Sequence, residues 1–176
     1  MTSYIEKIRV SVRVSQAGLA PIDGFLSLGP QAEFHAGPET VLELLNGPSR
    51  SIPLQRGAEA RTLLLNRADI EWVAAGTEVT STLVCPPNYQ ITSEEQVSIR
   101  FRGGNLLEGR VQMELPEHLN RASDYMNGVE DFFPLLTPFG VLLVNKLCVS
   151  SCELHSASPS PPFAGSSPSG RIASAR

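Results

Sequence analysis

The chain has 176 residues, and its 18 acidic and 14 basic side chains give a net charge of −4. That length suits one domain or two small ones, and a compact body of about 150 residues buries about 68–70% of its unfolded surface, so a core can form without disulfide or metal staples. The mildly acidic balance argues against a general nucleic-acid or anionic-membrane surface, both of which need clustered Lys and Arg.

Met1 to Lys7 lead straight into a strand pattern, with no apolar stretch behind a basic start, so no secretory signal is expected. No run approaches the roughly 18 apolar residues of a membrane span. Cys85, Cys148 and Cys152 are an odd number of cysteines, which predicts reduced thiols in a cytoplasmic protein.

Ile8, Val10, Val12 and Val14 alternate with Arg9, Ser11, Arg13 and Ser15, the period of a half-buried strand, and Phe25 to Leu28 resumes it after a Gly18 to Gly24 connection. Pro38-Glu39-Thr40 ahead of Val41 to Leu45, stopped by Asn46-Gly47, predicts a two-turn helix. Ser51 to Gln55 reads as a strand whose Pro53 suits an edge or a strand end. Arg61 to Asn66 and Asp69 to Ala74 read as a hairpin, with Asn66 suited to a left-handed turn. Ala75 to Glu95 is expected to be a linker with one extra strand, Val79 to Val84.

Val97, Ile99 and Phe101 then alternate with polar residues, turn at Gly103-Gly104-Asn105 and continue through Leu106 to Leu115 as a second hairpin. Gly24 and Gly109 fall at equivalent strand positions, which predicts a bulge or bend at both. A short helix capped by Asn120 or Ser123 runs to Asn127-Gly128. A proline-containing strand, Asp131 to Leu136, and a closing hairpin, Gly140 to Asn145 with Leu147 to Cys152, follow. The Ser- and Pro-rich residues 156–176 are expected to be a disordered tail.

These elements repeat. Val41 to Gly47, Ile52-Pro53-Leu54 and Leu63 to Arg67 recur in the same order as Ala122 to Gly128, Phe133-Pro134-Leu135 and Leu142 to Lys146. Asn46 to Asn127 and Pro53 to Pro134 are displaced by 81 positions (127 − 46, 134 − 53) and Asn66 to Asn145 by 79 (145 − 66). The expected fold is mainly β (α+β), with two tandem β-β-α-β-β-β repeats, 4–74 and 96–155, forming small barrels or rolls and joined by 75–95. Leu44, Leu45, Ile52, Leu64, Phe132 or Phe133, and Leu143 are its expected core.

The strand order and closing Asn-cation turns resemble small Sm-like barrels in strand pattern, which implies a five-stranded closed sheet and RNA binding. The helix-Asn-Gly, Pro-Leu and Asn-cation pattern also looks like that of bacterial proteins. Asn120 to Asp124 resembles the Asp/Asn-x-Ser stretch of cyclic-dinucleotide-binding PilZ domains, although helix capping accounts for Ser123.

Cys148, Cys152 and His155 lie close enough in sequence to suggest a thiol- or metal-dependent enzyme, with Cys85 the only candidate fourth ligand. Zinc ligands come as closer pairs, so buried inert thiols and no metal are expected. His35, His118 and His155 accompany no nucleophile signature, and Gly103-Gly104-Asn105 lacks the Lys-Ser/Thr of a phosphate loop. Glu94-Glu95 and Glu130-Asp131 are adjacent and point apart. Arg9, Arg13, Arg100 and Arg102, on the polar faces of the first strand of each copy, are the candidate binding residues. The leading expectation is a non-catalytic cytosolic binding or regulatory module contacting a protein or small ligand, with no cofactor and no membrane. The alternatives are the thiol or metal enzyme and a nucleic-acid-binding small barrel.

Overall fold

A computed structural model describes residues 7–57, 61–86, 93–113 and 122–155. The expected tail, His118 and Asn120 lie outside them. The elements in chain order are β1 (Ile8–Gln16), β2 (Ile22–Leu28), α1 (Val41–Asn46), β3 (Ser51–Arg56), β4 (Arg61–Asn66), β5 (Ile70–Ala75), α2 (Ser81–Val84), β6 (Ser93–Phe101), β7 (Leu106–Met113), α3 (Ala122–Met126), β8 (Phe132–Thr137), β9 (Gly140–Asn145) and β10 (Val149–His155). The ten strands form one antiparallel sheet in the order β10-β6-β7-β8-β9-β5-β1-β2-β3-β4. The structure is mainly β, as expected. The expected closure into small barrels is not seen, because the ladder runs through both halves and leaves β4 and β10 at open edges.

Four local expectations are corrected by this pairing. β4 and β5 form no hairpin, nor do β9 and β10: β5 pairs with β1 and β9, and β10 with β6. The cause is the link between them. Arg67–Asp69 and Lys146–Cys148 are 3-10 turns that redirect the chain, and Asn66 and Asn145 cap them from extended backbone, at φ −68° and −87°, not from the left-handed region. The prolines are not in edge strands. Pro53 lies outside the single register pair joining β3 to β2, Phe25 with Gln55, and Pro134 lies beyond the two pairs joining β8 to β7, so each strand is paired on one side only at its proline. The linker's extra strand is instead α2, because Val79, Leu83 and Val84 have the spacing of one helical face and pack against the first core.

α1 has a capping box. The Glu43 backbone N–H donates to Thr40 Oγ1 at 3.2 Å, and Glu43 Oε2 accepts from the Thr40 backbone N–H at 2.8 Å. His35 Nε2 lies 3.1 Å from the same carboxylate oxygen, which ties the loop before the helix to its first turn. At the far end, Arg67 donates to the carbonyls of Leu45 and Gly47, and Lys146 donates to that of Tyr125 at the end of α3. Cations there satisfy carbonyls that a short helix leaves open.

The core is in two clusters. One gathers Val10, Val12, Val14, Leu26, Leu45 and Ile52 under α1 and α2; the other gathers Val97, Ile99, Phe101, Val111, Met113 and Phe133. At the centre of the sheet, neighbouring residues serve different clusters: Phe132 and Leu143 enter the first, and Phe133 and Val144 the second. The middle strands are therefore buried on both faces. Of the expected core residues, Leu45, Ile52, Phe132, Phe133 and Leu143 are buried and Leu44 is half-buried, but Leu64 is 67% exposed because it lies on edge strand β4.

Gly24 and Gly109 hold equivalent places, opposite Val12 and Val97. A Cβ at either would lie 2.7 Å from a backbone oxygen of the neighbouring strand, that of Gln55 or Leu136. Close approach of backbones, not a bulge, explains both. Gly24→Ala and Gly109→Ala should each cost about 1–3 kcal/mol by urea denaturation, the usual penalty for overpacking. Losses well below that would mean the strands are not so close.

The cap also predicts a pH dependence. The His35 imidazole is raised above 6.5, first by its hydrogen bond to the Ala36 carbonyl and then by Glu43. Burial pushes the Glu43 carboxyl up, but hydrogen bonds from the Thr40 N–H and hydroxyl and from His35 outweigh it, so the net value falls below 4.5. A raised imidazole stabilises fully below pH 6.5 and loses that as pH rises through its folded value. A lowered carboxyl stabilises above pH 4.5 and loses that as pH falls through its folded value. The stability advantage of wild type over His35→Gln should thus plateau between these values and shrink from pH 6.5 to 8; an advantage that grows over that range contradicts the pairing.

Candidate functional site

β2 meets β3 at a single register pair, Phe25 with Gln55, one residue before Arg56 ends β3. Beside it lies a cleft of about 1310 Å³. Val12 and Arg13 line it from β1, with their cross-strand partners Ala75 and Ala74 lining it from β5. One wall carries Asp23, Gly24 and Phe25, and the other carries Arg56, Arg61, Thr62 and Leu63. Phe139, from the turn between β8 and β9, stands at the margin and is 99% exposed.

Its polar groups are partly tied down. Arg13 makes a two-pronged bond to Asp23, Nε to Oδ1 at 2.7 Å and Nη2 to Oδ2 at 3.0 Å. The Ser11 hydroxyl donates to Glu78, which lowers that carboxyl below its usual range. Arg56 and Arg61 face each other directly across the hairpin.

The four arginines singled out in the sequence are all exposed. Arg9 lies with its guanidinium carbon 4.6 Å from the centre of the Phe25 ring, beside the cleft, and Arg13 lines the cleft itself. Arg100 is opposite Leu106 and Ser151, and Arg102 lies past the end of β6, where its backbone N–H donates to the Cys148 carbonyl. Four strands separate β1 from β6, so the two pairs form separate patches. Nor do they occupy equivalent positions: counting from the paired glycines, Arg100 corresponds to Ser15, which is buried. Sequence reasoning missed Arg56, Arg61 and Phe139, although the hairpin register would have placed the first two opposite each other.

Cys148, Cys152 and His155 do not converge. Cys148 sits in the 3-10 turn, with its Sγ–H donating to the carbonyls of Ala68 and Ile70 at 3.1 and 3.3 Å. Cys152 packs on the second core, and His155 Nε2 is 2.7 Å from Ser98 Oγ. Burial pushes the Cys85 thiol up to about 11; burial also raises Cys148 and Cys152, aided by Glu71 and Glu95 respectively. Among the described residues, no group of three or more His, Cys, Asp or Glu side chains could hold a metal ion.

A second polar feature lies where the halves touch. Glu71 is fully buried on β5; its Oε2 accepts from Asn105 Nδ2 at 2.9 Å and from Ser15 Oγ at 3.3 Å, while Oε1 has no hydrogen-bond partner among the described residues. The β6–β7 turn fits over it only because residue 103 is glycine, whose Cβ would lie 2.7 Å from Oε1. Glu71 thus fastens the second hairpin to β1 and β5.

The three thiols should react with a disulfide reagent near pH 7.5 far more slowly than free cysteine, and rapidly once the chain is unfolded, since the thiolate is the reactive form; one fast thiol in the native protein would contradict the burial. Glu71→Ala strands the Asn105 and Ser15 donors and should cost about 1–3 kcal/mol, whereas Glu71→Gln keeps an oxygen that accepts from both and should change unfolding stability by well under that. A loss in Glu71→Gln comparable to that in Glu71→Ala, read by urea titration, would show that the charge itself is needed.

Among the described residues, no helix is long and apolar enough to cross a membrane. No family model, curated protein or solved structure matches the chain.

Proposed function

We propose that the chain is a non-catalytic binding module, built from two copies of one β-β-α-β-β-β unit, that contacts an acidic protein segment or small anionic ligand through the cleft beside β1 and β2. The observation that carries this is the cleft itself, which is large enough for a ligand and combines apolar lining with the facing pair Arg56 and Arg61. Arg13 and Arg9 flank it, and Phe139 offers an exposed ring at its margin. Arg100 and Arg102 belong to a separate patch that a protein partner would reach only by spanning the sheet. The two-copy reading is supported by identical strand order in the halves, β5-β1-β2-β3-β4 and β10-β6-β7-β8-β9, by the matched glycines, and by the shared work of Asn66 with Asn145 and of Arg67 with Lys146. The raised thiols and the separation of Cys148, Cys152 and His155 favour binding over the thiol-enzyme alternative.

Ala74→Leu adds bulk to the cleft lining without changing charge. Comparing it with wild type, with Arg9→Ser/Arg13→Ser and with Arg100→Ser/Arg102→Ser in partner capture from the native cell, at matched melting temperature, tests the assignment. The cleft-filling and first arginine variants should reduce recovery at least tenfold, about 1.4 kcal/mol. Full recovery with Ala74→Leu would reject the cleft, and loss only with Arg100→Ser/Arg102→Ser would move the contact to the other patch.

A further inference from the structure

We infer that β4 and β10 are a matched pair of edges that join between two copies of this chain, using the ladder that already joins the halves within one copy. The inference rests on the two-copy reading. Inside the chain, β5 of the first half pairs with β9 of the second, with Val73 opposite Leu143 and Ala74 opposite Leu142. The counterpart of β5 is β10, because Val14 faces Val73 as Ile99 faces Cys152. The counterpart of β9 is β4, because Pro134 faces Leu143 as Pro53 faces Leu64. Among the described residues both counterparts are edge strands, and the seam carried over to them puts Cys152 of one copy opposite Leu64 of the next.

One contrast in exposure separates the inner seam from the outer edge. Leu143 is 1% exposed because it enters the core of the other half beside Val73, whereas Leu64 is 67% exposed with no such neighbour. In the same register Thr62 faces Leu154, so Leu64 and Leu154, both large exposed apolar side chains, fall on one face as diagonal neighbours. Arg61 becomes diagonal to Glu153, which brings opposite charges together. An uncovered apolar edge strand is a pairing surface, and here the sheet supplies its own complement. The contact is head-to-tail, so it gives a closed dimer or a longer assembly according to the rotation between copies.

The test combines mass and register. Wild type in light scattering should give at least twice the monomer mass at high micromolar concentration, and Leu64→Lys should return it to monomer with unchanged far-UV circular dichroism. Leu64→Cys under mild oxidation should give an intermolecular disulfide that persists in Leu64→Cys/Cys85→Ser and disappears in Leu64→Cys/Cys152→Ser. A monomeric wild type overturns the edge pairing while leaving the two-copy reading intact. An oligomer indifferent to Leu64→Lys, or a Leu64→Cys protein that forms no link through Cys152, overturns the register and, with it, the use of the inner seam as a template.

Discussion

The pairing of β5 with β9 is the constraint on which the rest depends. It places strands from both halves in the middle of one sheet, where each face must meet a core. Leu143 and Phe132 leave their own half to fill the first core, and Trp72 leaves its half to pack on the second. Neither core is complete without residues of the other half. Polar side chains hold this seam: Asn46 behaves as a short piece of strand, donating to the Phe132 carbonyl at 3.0 Å and accepting from its N–H at 2.8 Å. Asn145, fully buried, donates to the carbonyls of Arg67 and Ile70 while capping its own turn through Leu147 N–H. Arg67 and Asp131 add a half-buried ion pair at 3.1 Å. Removing a group such as the Asn145 amide would strand several buried partners at about 1–3 kcal/mol each, so these contacts matter chiefly by specifying which strand meets which.

The seam also explains why the paired asparagines and cations do not work identically in the two halves. Asn46 and Asn145 reach across the junction, whereas Asn127 bonds to the Ser123 carbonyl of its own helix and Asn66 to Asp69 in its own turn. Only one such junction exists within a chain, so only one set of these side chains can span it. Capping of the 3-10 turns by Asn66 and Asn145, and contact with the helix ends by Arg67 and Lys146, are common to both.

What the sequence made legible was local. The alternation in β1 and β6, the Gly103-Gly104-Asn105 turn and the stop of the first helix at Asn46-Gly47 each specify a conformation within a few residues, and each is present. The pairing of β4 and β5 was not legible, since two adjacent strands with a polar link look like a hairpin until a 3-10 turn sends them to different neighbours. Leu64 looked like a core residue because its hydrophobicity says nothing about whether a strand lies beside it. The cleft was hidden for the same reason: Arg56, Arg61, Ala74 and Phe139 come from three strands and a distant turn, and only the order of the strands in the sheet brings them to one opening. A charge stripe along one strand was visible, yet Arg13 is already held by Asp23 and Arg9 by the Phe25 ring.

The central claim is that shared middle strands make the two halves one cooperative unit. Trp72, the single tryptophan, lies on β5 at the seam and reports on that place alone, while far-UV circular dichroism reports on all ten strands. Urea unfolding followed by both signals should give coincident transitions with one midpoint and one slope, the mark of two-state behaviour. If the circular dichroism signal instead falls in two steps, with Trp72 following only one of them, the halves hold their cores separately and the seam is not what organises the fold.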